Sequence, residues 1–155
     1  MGCLGDLEAA EIAHRRAFEC GSNHADTLAL LAGSKALVAG DPAEAIPLIE
    51  RAMRLNPIPP PWYFGMQGRV LFSAGRHREA IAALRRSTLD SPHVLVFLML
   101  AHARLGDDPE AAAIAARLCT EFPGFSIEGF ISGYPVTNPD AARAMRDAAK
   151  LVPIS

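Results

Sequence analysis

The stretch GRHREAIAALRR at Gly75–Arg86 decides the fold of this chain, because the same pattern occurs four times. The other copies are GDLEAAEIAHRR at Gly5–Arg16, GDPAEAIPLIER at Gly40–Arg51 and GDDPEAAAIAAR at Gly106–Arg117. Each copy begins with glycine, has alanine five residues later and has arginine eleven residues after the glycine. The glycines are spaced by 35, 35 and 31 residues. A period of roughly 20 to 50 residues is typical of repeat architectures.

Each column of the repeat has a structural meaning. A glycine between two helical segments supplies the left-handed residue that ends one helix, so it marks a turn inside each unit. The alanine lies one turn into the second helix, where a small side chain lets two helix backbones approach closely. Aspartate followed by proline predicts the start of that helix at Asp41-Pro42 and Asp108-Pro109. Two further columns hold Gly33, Gly68 and Met99, and the prolines expected to stop each second helix, Pro57, Pro92 and Pro123.

This helix–turn–helix unit resembles the tetratricopeptide repeat, whose pattern has small-residue columns in both helices and a proline after the second. The resemblance implies an all-α, right-handed superhelix of about three and a half repeats with C-terminal capping helices. We expect a single domain, 1–155, with a half repeat (4–22), full repeats (26–59, 61–91 and 92–124) and a cap (125–155). The first full repeat departs from the pattern: Ala29 and Ala36 replace aromatic residues, and Pro47 is expected to kink the second helix.

A narrower resemblance concerns the C-terminal part of the chain. The segments PPPWYF (59–64), GRHREAI (75–81), FPGF (122–125) and NPD (138–140) are similar to the repeat region of bacterial proteins that carry an upstream class III adenylate or guanylate cyclase domain, or a winged-helix regulator domain. The catalytic residues of a cyclase do not occur in this chain, so the resemblance implies no enzyme activity for it.

The two ends of the repeat array are expected to differ. The first unit has only its second helix, which suggests a fragment of a longer protein, a start placed too late, or an edge covered by a second subunit in a homodimer. At the other end, Asn138 is typical of a helix N-cap before Pro139. An apolar stripe follows and predicts a helix that caps the array: Ala141, Ala144, Met145, Ala148 and Leu151.

Composition excludes several classes of function. The chain has 15 basic and 17 acidic residues, so it lacks the basic surface expected of a nucleic-acid-binding domain. The longest apolar run, Val94–Ala101, is much shorter than a membrane span, and the N-terminus does not resemble a signal peptide. Three scattered cysteines form neither a disulfide framework nor a metal motif, which favours a cytoplasmic protein with reduced thiols.

The sequence predicts no catalytic, cofactor-binding or metal site. None of the five histidines has a partner at the spacing of metal ligands on a helix, and His102 is expected to fill the core. Ser22, His24 and Asp26 are the residue types of a hydrolytic triad. Neighbours in one turn cannot converge on a substrate, so this segment is interpreted as a turn and a helix cap.

The concave side of the predicted superhelix is the strongest candidate for a binding surface. In this architecture the first helix of each unit lines an inner groove, and inward residues recur every three or four positions. Trp62 and Arg69 are the principal candidates, because aromatic residues and arginine dominate interface energetics. Two alternatives remain open: Trp62 packs against the proline-rich segment 57–61, and His93 simply begins a helix. The groove residues are Leu30, Ser34, Leu37, Trp62, Arg69, Phe72, His93, Val96, Leu100 and Arg104.

These observations predict a non-enzymatic module that binds a peptide or helix of a partner protein, or of its own upstream domain, in the concave groove. The alternative is a regulatory or dimerising C-terminal segment of a cyclase-like or transcription-regulator-like protein. A small enzyme is the third alternative, and it would need a cluster of polar side chains inside the groove that could act as catalytic residues.

Overall fold

The computed structural model describes residues 12, 13, 16, 24–88, 91–133 and 138–152. These residues form α-helices, and no β-strand occurs among them, so the all-α prediction is confirmed. The helices are α1 (Ala25–Ser34), extended by a π-helical turn (Lys35–Ala39), α2 (Pro42–Leu55), α3 (Pro61–Ser73), α4 (His77–Leu84), α5 (Pro92–Arg104), α6 (Asp108–Glu121), α7 (Ile127–Gly133) and α8 (Pro139–Ala149). The predicted half repeat, 4–22, lies almost entirely outside the described residues.

The glycine column forms the turns inside the repeats, as predicted. Gly40, Gly75 and Gly106 have φ angles of 69°, 74° and 73°, a region that residues with a Cβ rarely adopt. At the start of α2, the Asp41 carboxylate accepts a hydrogen bond of 3.0 Å from the backbone N–H of Glu44. The predicted N-cap of α6, Asp108, was wrong by one residue, because the N-cap is Asp107. Asp108 is the first helical residue, and the Asp107 carboxylate at the N-cap lies 2.8 Å from Nδ1 of the buried His102.

The helices pack as three consecutive pairs, α1 with α2, α3 with α4 and α5 with α6. In each pair the predicted alanine, Ala45, Ala80 or Ala111, is buried at the contact. Neighbouring pairs also touch: α1 packs against α3, and α3 packs against α5. The first helices therefore form an inner layer, and the second helices form an outer layer. This arrangement is a solenoid like that of tetratricopeptide repeats.

The proline column behaves less uniformly than predicted. Pro57 and Pro123 follow the ends of α2 and α6 by two residues, as expected for helix stops. Pro92 does not stop a helix, because α4 has already ended at Leu84 and Pro92 is the first residue of α5. Proline fits that position, where the missing N–H has no helical partner to lose. α2 runs as one helix through Pro47, which is exposed to solvent.

The C-terminal helix α8 lies against the inner helix α5 and against α7. Its buried side chains are Met145 and Ala148, which the predicted apolar stripe contained. The same stripe was wrong at Leu151, which is 51 % exposed, while Val152 is buried instead. The helical spacing fails there because α8 ends at Ala149. α8 thus covers part of the inner layer, a location that the sequence did not predict.

Candidate functional site

Two depressions on the inner face are lined by residues that the structure describes. The first, which we call the open groove, lies between α1 and α3 and is lined by Leu30, Ser34, Leu37, Val38, Met66 and Arg69. The second, which we call the helix seat, lies at the C-terminal ends of α1, α3 and α5 and is lined by Ala36, Leu37, Gly40, Phe72, His77 and Arg104. α8 covers the helix seat with Asn138, Ala141, Ala144 and Met145. The open groove has a volume of about 140 Å³.

Apolar side chains remain accessible at the open groove. Leu30 is 46 % exposed, and Trp62, one turn before Met66 on α3, is 37 % exposed. The Trp62 ring packs edge-on against Tyr63 at a centroid distance of 4.4 Å. Tyr63 is buried and donates a hydrogen bond to the Asp26 carboxylate of α1. This contact between α1 and α3 holds Trp62 at the N-terminal edge of the inner face.

Burial and the hydrogen bond to Asp26 raise the pKa of Tyr63 to about 12. Both effects favour the neutral phenol, because burial disfavours the phenolate and the adjacent carboxylate repels it. The Tyr63 hydroxyl is therefore protonated at neutral pH and acts as a donor that fixes α1 beside α3.

The structure brings Arg69 and His93 together at the boundary between α3 and α5. The Arg69 guanidinium lies 5.9 Å from the centre of the Phe97 ring, and its Nη1 lies 3.9 Å from Sδ of Met66. The His93 ring is 5.3 Å from the ring of Phe130 in α7. Burial and the nearby Arg69 charge lower the pKa of His93, so its imidazole is neutral at pH 7. This cluster places a cation beside apolar surface, which suits recognition of a peptide.

The helix seat is polar at one side. Arg104 is exposed at the end of α5, and the His77 ring stacks in a tilted arrangement 5.2 Å from Phe72. Burial and the Arg104 charge lower the pKa of His77. Nδ1 of His77 is buried, and it has no hydrogen-bond partner in the described part of the chain. About 240 Å³ remains open between the seat and α8.

The predicted exposure of two groove residues was wrong. Val96 and Leu100 are 0 % exposed, because α5 is buried along Val94–Ala103. α8 packs against α5, and the ring of Phe130 in α7 lies 5.3 Å from that of His93, so Val96 and Leu100 are not part of the surface that is exposed in this structure. Leu37 and Phe72 are also buried and form the floors of the depressions. Met66 was not among the predicted groove residues, although it lies four residues after Trp62 and three before Arg69, a spacing that places all three on one face of α3.

Within the described residues, no group of three or more histidine, cysteine, aspartate or glutamate side chains is arranged to hold a metal ion. Of the triad-like residues, Asp26 is engaged by Tyr63 and His24 is exposed, while Ser22 lies outside the described residues. None of the helices described here combines the length and the apolar character needed to span a membrane. The inner face is therefore the strongest candidate for a functional surface in the described part of the chain.

The repeat geometry has a counterpart among known families. Residues 66–124 match the tetratricopeptide repeat. The matched span runs from the middle of α3 to the turn after α6, and it supports the interpretation of the chain as a tetratricopeptide repeat protein. Such all-helical repeat folds are typically non-catalytic, and the comparisons indicate no enzyme family. A comparison with curated proteins found no match. The resemblance to the repeat region of cyclase-like proteins therefore stays a prediction.

Proposed function

We propose that this chain is a non-enzymatic module that binds a peptide or helix of a partner protein at the open groove. Tetratricopeptide repeats generally mediate protein–protein interactions, which supports the general assignment. The observation that carries the specific site is the exposure of Leu30 and Trp62 on the inner face beside the half-buried Arg69. Aromatic residues and arginine supply much of the binding energy at protein interfaces.

The shape of the open groove indicates what the partner presents. Leu30 and Met66 line an apolar depression of about 140 Å³, a volume that suits one apolar side chain. The Arg69 guanidinium borders this depression. A partner segment that inserts an apolar side chain next to a polar or acidic residue would contact both features. Trp62 would cover the end of such a segment nearest the start of α3.

Site-specific photo-crosslinking in the native cell tests this proposal. A photoreactive amino acid placed at Leu30 should capture one partner reproducibly. The matched control is Ile58, an apolar residue that is 89 % exposed in the connection between α2 and α3. Capture of the same protein with equal yield from both positions would contradict the open groove as the binding site, because exposure alone would then explain the capture.

The alternative predicted from the sequence, a regulatory or dimerising segment of a cyclase-like or transcription-regulator-like protein, stays a prediction. Its proposed dimer edge, the half repeat 4–22, lies almost entirely outside the described residues. The cytoplasmic location predicted from the cysteine pattern stays a prediction as well. Light scattering of the purified chain tests the dimer: a concentration-dependent dimer supports it, and a monomer over the whole range contradicts it.

A further inference from the structure

We propose that the helix seat is a binding site for an amphipathic helix, which α8 occupies in the free chain and yields to a partner helix of similar pattern. This inference deepens the proposed function and rests on it, since it concerns the adjacent part of the same inner face. The expected occupant is an amphipathic helix of a partner protein that presents apolar residues on one side.

The first support is the position of α8. Asn138, the N-cap residue of α8, lies so close to Gly40 in the turn of the first full repeat that a Cβ on Gly40 would clash with its side chain. Its middle residue Met145 lines the seat beside α1 and α3, and α8 packs against α5 of the third repeat. α8 therefore spans the inner ends of three successive repeats, as a bound helical ligand would.

The second support is the small extent of the attachment. Within residues 138–152, the only buried side chains are Met145, Ala148 and Val152. By contrast, α5 is buried over the whole of Val94–Ala103. Segments with few buried apolar contacts open at a lower free energy than the core does. We therefore expect α8 to detach while the repeats remain folded.

The third support is that α8 fills the seat incompletely. About 240 Å³ remains open beside Ala141 and Ala144, whose methyl groups are too short to occupy it. The unpartnered Nδ1 of His77, a residue that lines this depression, is buried. A partner helix with a larger apolar side chain at the position of Ala144, or with a polar group that reaches His77, would fit the seat better. Such a helix would displace α8 by competing for the same surface.

Native-state hydrogen exchange of the full chain is the first test, because it needs no substitution. We expect the amides of Ala142–Ala149 to exchange at least about tenfold faster than the protected amides of α5, through opening of α8 alone. Exchange of α8 only together with α5, at the rate of global unfolding, would overturn the proposal. In that case α8 would be a permanent part of the core.

A helix added in trans is the second test. The probe is a fluorescent peptide of residues 138–152, and the receptor is the full chain carrying Met145→Asp, which places a charge on the buried side of α8. The matched control is Arg143→Asp, which places the same charge on the exposed side of the same helix. We expect the peptide to bind the Met145→Asp chain at least tenfold more tightly than the Arg143→Asp or unchanged chain. A peptide that itself carries Met145→Asp should bind none of the three chains.

Two outcomes would overturn the proposal: equal binding of the peptide to all three chains, or unfolding of the repeats in the Met145→Asp chain. Circular dichroism of each chain detects the second outcome. Neither test uses the partner protein or alters a residue of the open groove. Failure here would therefore leave the open groove as a binding site, and failure of the crosslinking experiment would leave these results unchanged.

Discussion

Two glycines at equivalent positions of neighbouring repeats provide a sharp test of the packing. Gly33 in α1 and Gly68 in α3 are both buried. Gly33 faces the next inner helix, α3, whereas Gly68 faces α4, the second helix of its own pair. A Cβ added at Gly68 would lie 2.5 Å from Cδ2 of Leu84 and 3.3 Å from the carbonyl oxygen of Ala80. A Cβ added at Gly33 would lie 2.8 Å from Sδ of Met66. The same substitution therefore meets two different neighbours.

The two substitutions are expected to change the free energy of unfolding in opposite directions. Replacing glycine by alanine inside a helix stabilises the folded state by about 0.5–1 kcal/mol, since alanine loses less backbone entropy on folding. At Gly68 this gain is outweighed by overpacking, which costs about 1–3 kcal/mol, because Leu84 is fully buried and the Ala80 carbonyl belongs to the backbone. At Gly33 the unbranched, half-buried Met66 can move aside, so the gain remains. We expect Gly33→Ala to be more stable than Gly68→Ala by about 2 kcal/mol.

Thermal unfolding followed by far-ultraviolet circular dichroism measures this difference. For a chain of this length, about 2 kcal/mol corresponds to a separation in Tm of roughly 4–8 °C, with the Gly33→Ala variant the higher. Urea unfolding of both variants provides the free energies directly. Equal stabilities, or a more stable Gly68→Ala variant, would refute the close contact between α3 and α4 on which the repeat geometry depends.

Two further predictions concern the turns and the pair of α1 and α3. Gly40→Ala should destabilise the chain by about 1 kcal/mol or more beyond Gly75→Ala, and it should accelerate hydrogen exchange in α8. Both positions have positive φ, so the backbone strain is shared. Only a Cβ at Gly40 would meet the side chain of Asn138, whereas nothing lies within 4 Å of a Cβ at Gly75. Equal losses would contradict that docking contact. Tyr63→Phe should cost about 1–2 kcal/mol at neutral pH by removing the hydrogen bond to Asp26. The pKa of Tyr63 is raised from 10.0 to about 12, so the folded state holds this proton more tightly than the unfolded state does. The stability that Tyr63 contributes should therefore be retained below pH 10 and lost between about pH 10 and 12, and the Tyr63→Phe variant should lack this loss. An identical alkaline profile for Tyr63→Phe, measured by urea unfolding, would contradict this assignment.

Much of the fold was predictable because the repeat constrains the backbone locally. Only glycine adopts the positive φ of the turns at Gly40, Gly75 and Gly106 without strain, and a small residue must stand where two helices approach closely. Pro92 was misassigned because proline is compatible both with a connection and with the first turn of a helix. The sequence alone did not distinguish these two roles.

The candidate site was predictable only in part. Of the residues that the helical spacing placed on the inner face, Leu30 and Trp62 are exposed and Arg69 is half-buried, while their role in binding stays a prediction. Val96 and Leu100 have the same spacing but are buried in α5, against which the later helix α8 packs. Spacing shows which residues share a face of a helix, and it does not show whether a later segment covers that face.

The measurement that tests the central claim most directly is a titration of the crosslinked partner, once purified, against the full chain and its Trp62→Ala and Arg69→Ala variants. We expect each substitution to weaken binding by about 1–3 kcal/mol, which corresponds to an increase in Kd of roughly 5- to 150-fold, while far-ultraviolet circular dichroism remains unchanged. Ile58→Ala serves as the control and should leave Kd unchanged. An unchanged Kd for both Trp62→Ala and Arg69→Ala would contradict the assignment of the inner face as the binding surface.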